Sequence, residues 1–275
     1  MEYLNFPKMS YNLTQGFGKN SYSHKYSKAL DISGYKGSSK IYAPFTGYVG
    51  NVYVKKGQAY SIWLVSEEKV MCADGVLRYA VVMMTHPEGI EKYKKGFTFI
   101  QGEYLFDDGK TGNATGAHLD LRLAVYDKKE NISVGWHFDG EGYDLDNSVN
   151  PCDYMTISDE VKIINQTYQN KVYKFKNRKD INVYTKGLYR TLDNVRVRCG
   201  AGLNFRQKKV KELTPDGKRH SLYSDLNALA YLKKGTYFDA LEIIVNASGV
   251  WAKGYSGYIN IKSGKYINSE KVWNI

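Results

Sequence analysis

The chain reads as an all-β protein, mainly antiparallel, and two features of its 275 residues point that way. Short β-biased segments alternate with Gly-containing turns along its length, and no long stretch holds a helical period. Tyrosine supplies 25 residues against 10 Phe and 4 Trp, a usage that suits pleated sheets and polymer-facing surfaces. The length allows one or two domains, each with its own core.

Taken in order, residues 11–19 read as an opening loop whose QGFG makes a turn before His24. Residues 31–54 read as short strands around Gly34, Gly37 and Gly47. Residues 61–65 and 70–73 are strand-like, with the Asp74-Gly75 pair as a hairpin signal. Residues 79–85 are the strongest strand candidate, 88–95 suggest a short helical turn, and 94–102 another strand entry. Residues 127–146 form a polar, Gly- and Asp-rich insertion containing Trp136, His137 and Phe138. Asn150-Pro151 closes a first domain whose boundary is expected near 158. Residues 159–190 read as a connector, an extended or a helical arm, before a second domain over 191–275. In that domain 193–202, 212–218, 231–244 and 250–261 read as strand-turn-strand material.

The chemistry concentrates in residues 111–123, TGNATGAHLDLRL. Its second half sets His118, Asp120 and Arg122 against Leu119, Leu121 and Leu123, which on a strand gives a polar face and a leucine face. Gly112 and Gly116 mark the tight turn that delivers it. Alone, this reads as a surface strand with ordinary polar outward residues. Placing the other histidines changes that. His24 lies seven residues before Asp31, at the start of a new extended segment, and His86 ends the apolar run YAVVMMTH. A catalytic zinc needs three N or O donors and an open fourth position. His24, Asp31 and one residue of the His118/Asp120 strand supply such a set, leaving the other histidines for proton transfer. His137 is not expected to take part.

These pieces, in this order, resemble the lysostaphin-like zinc endopeptidases that cut peptidoglycan peptides. The resemblance covers roughly residues 10–155. It rests on His24 and Asp31 in SHKYSKALDIS, on IYAPFTGYV at 41–49, on His86 closing a strand, and on the Gly-rich turn into His118 in TGNATGAHLD. It implies a groove-bearing β-sheet peptidase domain over 1–158, one zinc ion on His24, Asp31 and Asp120, and catalytic roles for His86 and His118. One position departs from the pattern: the family's last motif is His-x-His, and Asp120 stands where its second His binds the metal. Two carboxylates and one His make the loaded centre formally neutral, so it acidifies bound water less. Oxygen ligation also loosens the preference for zinc over metals such as manganese. Arg122, on the face of Asp120, is placed to pair with it.

Charge divides the chain. Residues 1–150 hold 17 Lys/Arg and 17 Asp/Glu; residues 151–275 hold 22 against 11 and so carry the whole excess of +11. No nucleic-acid motif accompanies the scattered bases, so nucleic acid is not expected as a partner. A basic domain suits an anionic polymer such as a Gram-positive wall bearing teichoic acid. The second domain is similar to bacterial Src-homology-3-like domains of phage lysins, through DNVRVR at 193–198, KKGT at 233–236, Trp251 and SGYI at 256–259. That likeness implies a small wall-binding β-barrel. Cys72, Cys152 and Cys199 are widely spaced and odd in number, so no disulfide framework is expected. No apolar signal core opens the sequence and no run approaches a membrane span. The expected setting is synthesis in a host cytoplasm without a signal peptide, then action at the cell wall or within a virion, with other phage tail proteins as further partners. Two functions follow: a phage or prophage peptidoglycan endopeptidase, or a wall-binding or structural tail protein that has lost its metal.

Overall fold

The apolar run before His86 forms the longest strand, Leu77–Thr85, because both of its faces are covered. Val82 and Met84 enter one core cluster, while Val81 and Met83 enter a second on the opposite face. Double burial explains a continuous apolar run where a half-exposed strand would alternate. Each such side chain contributes about 1.5–3 kcal/mol by leaving water. The computed structural model describes residues 2–18, 24, 27–34, 40–138, 143–181, 184–264 and 266–272. The chain forms two compact units, 1–182 and 183–275. Strand accounts for 46% of the protein and helix for 7%, with mainly antiparallel sheets, as the sequence led us to expect.

Eight of the ten strands in the first unit's large sheet form its main path: β1 (Ser10–Gln15), β2 (Leu30–Ser33), β3 (Gly47–Tyr53), β4 (Ser61–Ser66), β5 (Leu77–Thr85), β6 (Thr98–Phe99), β7 (Leu119–Tyr126) and β8 (Lys162–Asn165). Their spatial order is β8-β1-β2-β7-β5-β4-β3-β6, antiparallel throughout except for the β8–β1 pair. One face is the main core, to which Leu30, Ile32, Ile62, Leu64, Leu119, Leu121 and Leu123 contribute. The other face is apolar around Trp63, Val65, Val81, Met83 and Ala124. At one end it turns polar, and there the site lies. The Asp74-Gly75 hairpin forms as read, with Gly75 at φ 85° and Cys72 N–H bonded to Val76 O.

Several local expectations differ from the structure. Residues 11–15 are strand, not loop: Tyr11, Leu13 and Gln15 are buried, and β1 lies between β2 and β8, the latter about 150 residues away in the chain. Residues 88–95 form turns and no helix. The segment expected as a connector carries β8 and buries Tyr173 and Phe175 in the first unit's core, so the unit boundary after residue 182 and the expected one near 158 differ. In the second unit, residues 215–219 are a short helix. Thr214 Oγ1 accepts the Gly217 N–H at 3.1 Å and Pro215 opens the helix, so a sequence that resembles a turn is capped as a helix instead. That unit has a three-stranded and a six-stranded antiparallel sheet, and Trp251 is buried in it. The three cysteines are free. Among the described residues no helix is long and apolar enough to cross a membrane. Gly37, Lys19 and residues 139–142 of the polar insertion lie outside the described residues.

Candidate metal centre

Sheet register assembles the site. Asp120 on β7 lies directly opposite Asp31 on β2 and Thr85 on β5, and Thr85 lies opposite Ser61 on β4. The leucines on either side of Asp120 enter the main core, so Asp120 must face the other way. Ile32 and Leu30 impose the same on Asp31. Two carboxylates opposite each other on adjacent strands repel, and both are buried, at 7% exposure for Asp31 and 4% for Asp120. Something cationic is needed between or beside them.

His24 comes in from the preceding segment, 3% exposed. Its Nε2 is 3.0 Å from Asp31 Oδ1 and 3.7 Å from Asp120 Oδ2. Ligands at about 2.1 Å from a tetrahedral zinc stand about 3.4 Å apart, and these separations bracket that spacing. One donor atom from each of the three residues lies within 4.8 Å of the others. His24 Nδ1 is buried without a hydrogen-bond partner, and the buried Asp31 Oδ1 is met by His24 Nε2 at 3.0 Å. Two buried carboxylates converging on one imidazole whose second nitrogen has no partner favour a cation among them, so these residues fit a divalent metal. Burial works against protonating His24, but the Asp31 contact and the charges of Asp120 and Asp31 prevail, so its pKa is raised.

Arg122, one strand period on from Asp120, is buried beside it. Its Nε donates to Asp120 Oδ1 at 3.0 Å and its Nη2 to Oδ2 at 3.1 Å, a two-pronged fork. Burial would push the Asp120 carboxyl up, but the guanidinium charge and these two bonds hold it at about 2. Asp144 Oδ1 stands 3.6 Å from the other prong of Arg122 and accepts the Leu145 N–H at 2.9 Å. The Trp136 ring lies 5.1 Å from the guanidinium.

The two remaining histidines flank this group. His118 Nδ1 is 2.8 Å from Gly116 O, and His86 Nδ1 is 2.7 Å from Thr111 O. A carbonyl only accepts, so each Nδ1 carries a proton and donates it, which leaves the Nε2 of each ring turned away from that bond. His118 Nε2 is 3.9 Å from Asp31 Oδ2, and the two rings are 4.8 Å apart. His86 sits just past the end of β5 at φ 73°, a left-handed backbone that non-glycine residues rarely adopt. Gly112, at φ 75°, shapes the turn holding Thr111, and a Cβ there would come 2.6 Å from the Ala59 nitrogen. All five residues named from the sequence, His24, Asp31, His86, His118 and Asp120, line one cleft of about 660 Å³ with Arg122 and Thr85. His137 is exposed, away from that lining, and His220 belongs to the second unit. Asp144 and Trp136 were not singled out for the site: they come from an insertion without periodicity, whose end is folded back by the pairing of β7 with residues 148–149.

The fold and site thus define an all-β protein with a His/Asp/Asp group in an open cleft. No family model matches the chain. Over 131 residues it is 35% identical to Morphogenesis protein 1 of Bacillus phage B103, covering 48% of this chain and 33% of that protein. The chain therefore spans about a third of the length of that relative. Among solved structures, it is similar to the catalytic domain of the antimicrobial peptidase lysostaphin from Staphylococcus simulans, at TM-score 0.34 and 17% identity over 51% of this chain and 89% of that one. It is also similar to a zinc containing peptidase from Vibrio cholerae, at TM-score 0.35 and 19% identity over 46% and 38%. At these TM-scores the superpositions add nothing to what the sheet topology states by itself.

Proposed function

We propose that the first unit is a metal-dependent peptide hydrolase acting on peptidoglycan, of phage or prophage origin, and that the second unit attaches it to the wall. The observation that carries this reading is the convergence of His24 Nε2, Asp31 and Asp120 beside two further histidines, each anchored through Nδ1, in one cleft. His24, Asp31 and Asp120 would hold one zinc ion. Bound there, the ion would supply an acidified water and polarise the scissile carbonyl. His118 Nε2 is free to take a proton and return it to the leaving amine, since its Nδ1–H is committed to Gly116 O. His86, fixed in the same way by Thr111 O, would hold the developing oxyanion or relay that proton. The open cleft admits an extended peptide, and the basic excess of residues 151–275 favours a wall carrying anionic polymers. Other phage tail proteins are proposed as further partners in the virion.

One observation favours a second reading. The Arg122 fork already gives both Asp120 oxygens a cationic partner, as a wall-binding or structural tail protein without metal would need. Turbidity loss of Gram-positive wall suspensions, paired with elemental analysis, separates the two. As an enzyme, the wild type carries zinc and clears walls, and Asp120→Ala loses both. His118→Ala keeps its zinc but slows clearing about 10²–10⁴-fold, as for loss of a general acid–base group. A metal-free wild type that binds walls without clearing them hands the case to the second reading.

A further inference from the structure

Resting on that reading of the cleft as a metal centre, we propose that Arg122 is a positioning residue acting as an internal counter-cation. It shares Asp120 with the metal and thereby sets how tightly the centre holds it. Asp31 and Asp120 face each other across two strands with one imidazole between them. Without a metal, those two carboxylates need a permanent cation close by, and Arg122 is one: a guanidinium stays charged at any pH a fold survives. Its Nη2 donates to Asp120 Oδ2, the oxygen that also stands 3.7 Å from His24 Nε2. Guanidinium and metal thus draw on the same atom. A carboxylate has about four lone-pair sites, and the fork uses two, so Asp120 can bind an ion while Arg122 stays in place.

Arg122 has little freedom to withdraw. Asp144 flanks its other prong at 3.6 Å, its Cζ lies over the Trp136 ring 5.1 Å from the ring centroid, and the residue is 5% exposed. The ion therefore enters a cleft already held in shape and does so against a fixed positive charge that solvent screens poorly. Affinity is lowered in return for a carboxylate pair that keeps its geometry when empty.

The test is calorimetric titration of zinc chloride into the full-length protein stripped with a chelator, with each variant's metal-free melting temperature as the fold check. Arg122→Gln removes the charge and keeps a donor, and is expected to bind zinc about tenfold tighter or more than wild type. Arg122→Lys keeps the charge without the fork and is expected to stay within about threefold of wild type. Asp144→Asn removes a negative charge 3.6 Å from the guanidinium and is expected to weaken zinc binding, which keeps the proposal testable if Arg122→Gln does not fold. A folded Arg122→Gln that binds no tighter than wild type overturns it, as does an Arg122→Lys that gains as much as Arg122→Gln. If Arg122→Gln does not fold, unchanged or tighter binding by Asp144→Asn overturns it. Zinc binding by Arg122→Gln but not by wild type supports it in its strongest form. No binding by either overturns the metal-centre reading, and the proposal with it.

Discussion

Asp120 meets two demands with one side chain. It must stay ionised inside the fold, and it must keep a lone pair facing His24. Arg122 secures the first by holding its pKa at about 2, against an unfolded value of about 3.9. A depressed carboxyl contributes stability that is complete above the unfolded pKa and is lost as pH falls through the folded one. Metal-free protein is therefore expected to lose on the order of 2 kcal/mol from this group between about pH 4 and pH 2. Denaturant melts at a series of pH values should show Asp120→Asn with a shallower acid slope than wild type. Equal slopes would remove Asp120 from the acid response. At this scale the sequence was informative: strict alternation put His118, Asp120 and Arg122 on one polar face, and the His24–Asp31 spacing supplied the other half. The far side of Arg122 was not legible, because Asp144 and Trp136 reach it through tertiary folding of an aperiodic insertion.

At the scale of elements, the end of β5 and the turn before β7 position His86 and His118. Thr111 O fixes the His86 ring, and Gly112 permits the turn that presents that carbonyl. Gly112→Ala places a Cβ against the Ala59 backbone at a left-handed φ. It is expected to cost about 1–2 kcal/mol from the backbone conformation alone, read as a lowered midpoint in denaturant melts. If the turn serves the site, wall clearing should fall further than stability does. Unchanged midpoint and clearing would show that the turn has slack. The glycine was visible in the sequence, but Gly116 looked equivalent and has no such constraint: nothing lies within 4 Å of a Cβ there. Residues 11–15 were misread for a related reason. Their polar positions look loop-like until β8, from a distant part of the chain, completes the ladder on one side.

Over the whole molecule, the positive excess lies in residues 151–275, while the candidate metal-centre residues all lie before 150. If that charge serves attachment, co-sedimentation of the full chain with purified walls should weaken steadily from about 0.05 M to about 0.5 M salt, as the Debye length shortens. Exchanging the exposed pair Lys233 and Lys234 for glutamate should weaken it at low salt. Binding indifferent to both would point to attachment through neutral contacts, for which the exposed Tyr237, Tyr255 and Tyr266 are available. The all-β class could be read from sequence because it depends on local pattern. The division of the chain after residue 182 could not, because it depends on where Tyr173 and Phe175 find a core.

The central claim is that His24, Asp31 and Asp120 form one metal site. Anomalous diffraction at the zinc absorption edge, from crystals of the full chain grown with zinc, tests it most directly. The expected result is a single strong peak bonded to His24 Nε2 and to one oxygen each of Asp31 and Asp120, at about 2.0–2.2 Å. A cleft without a peak, with Arg122 alone on Asp120, would contradict it.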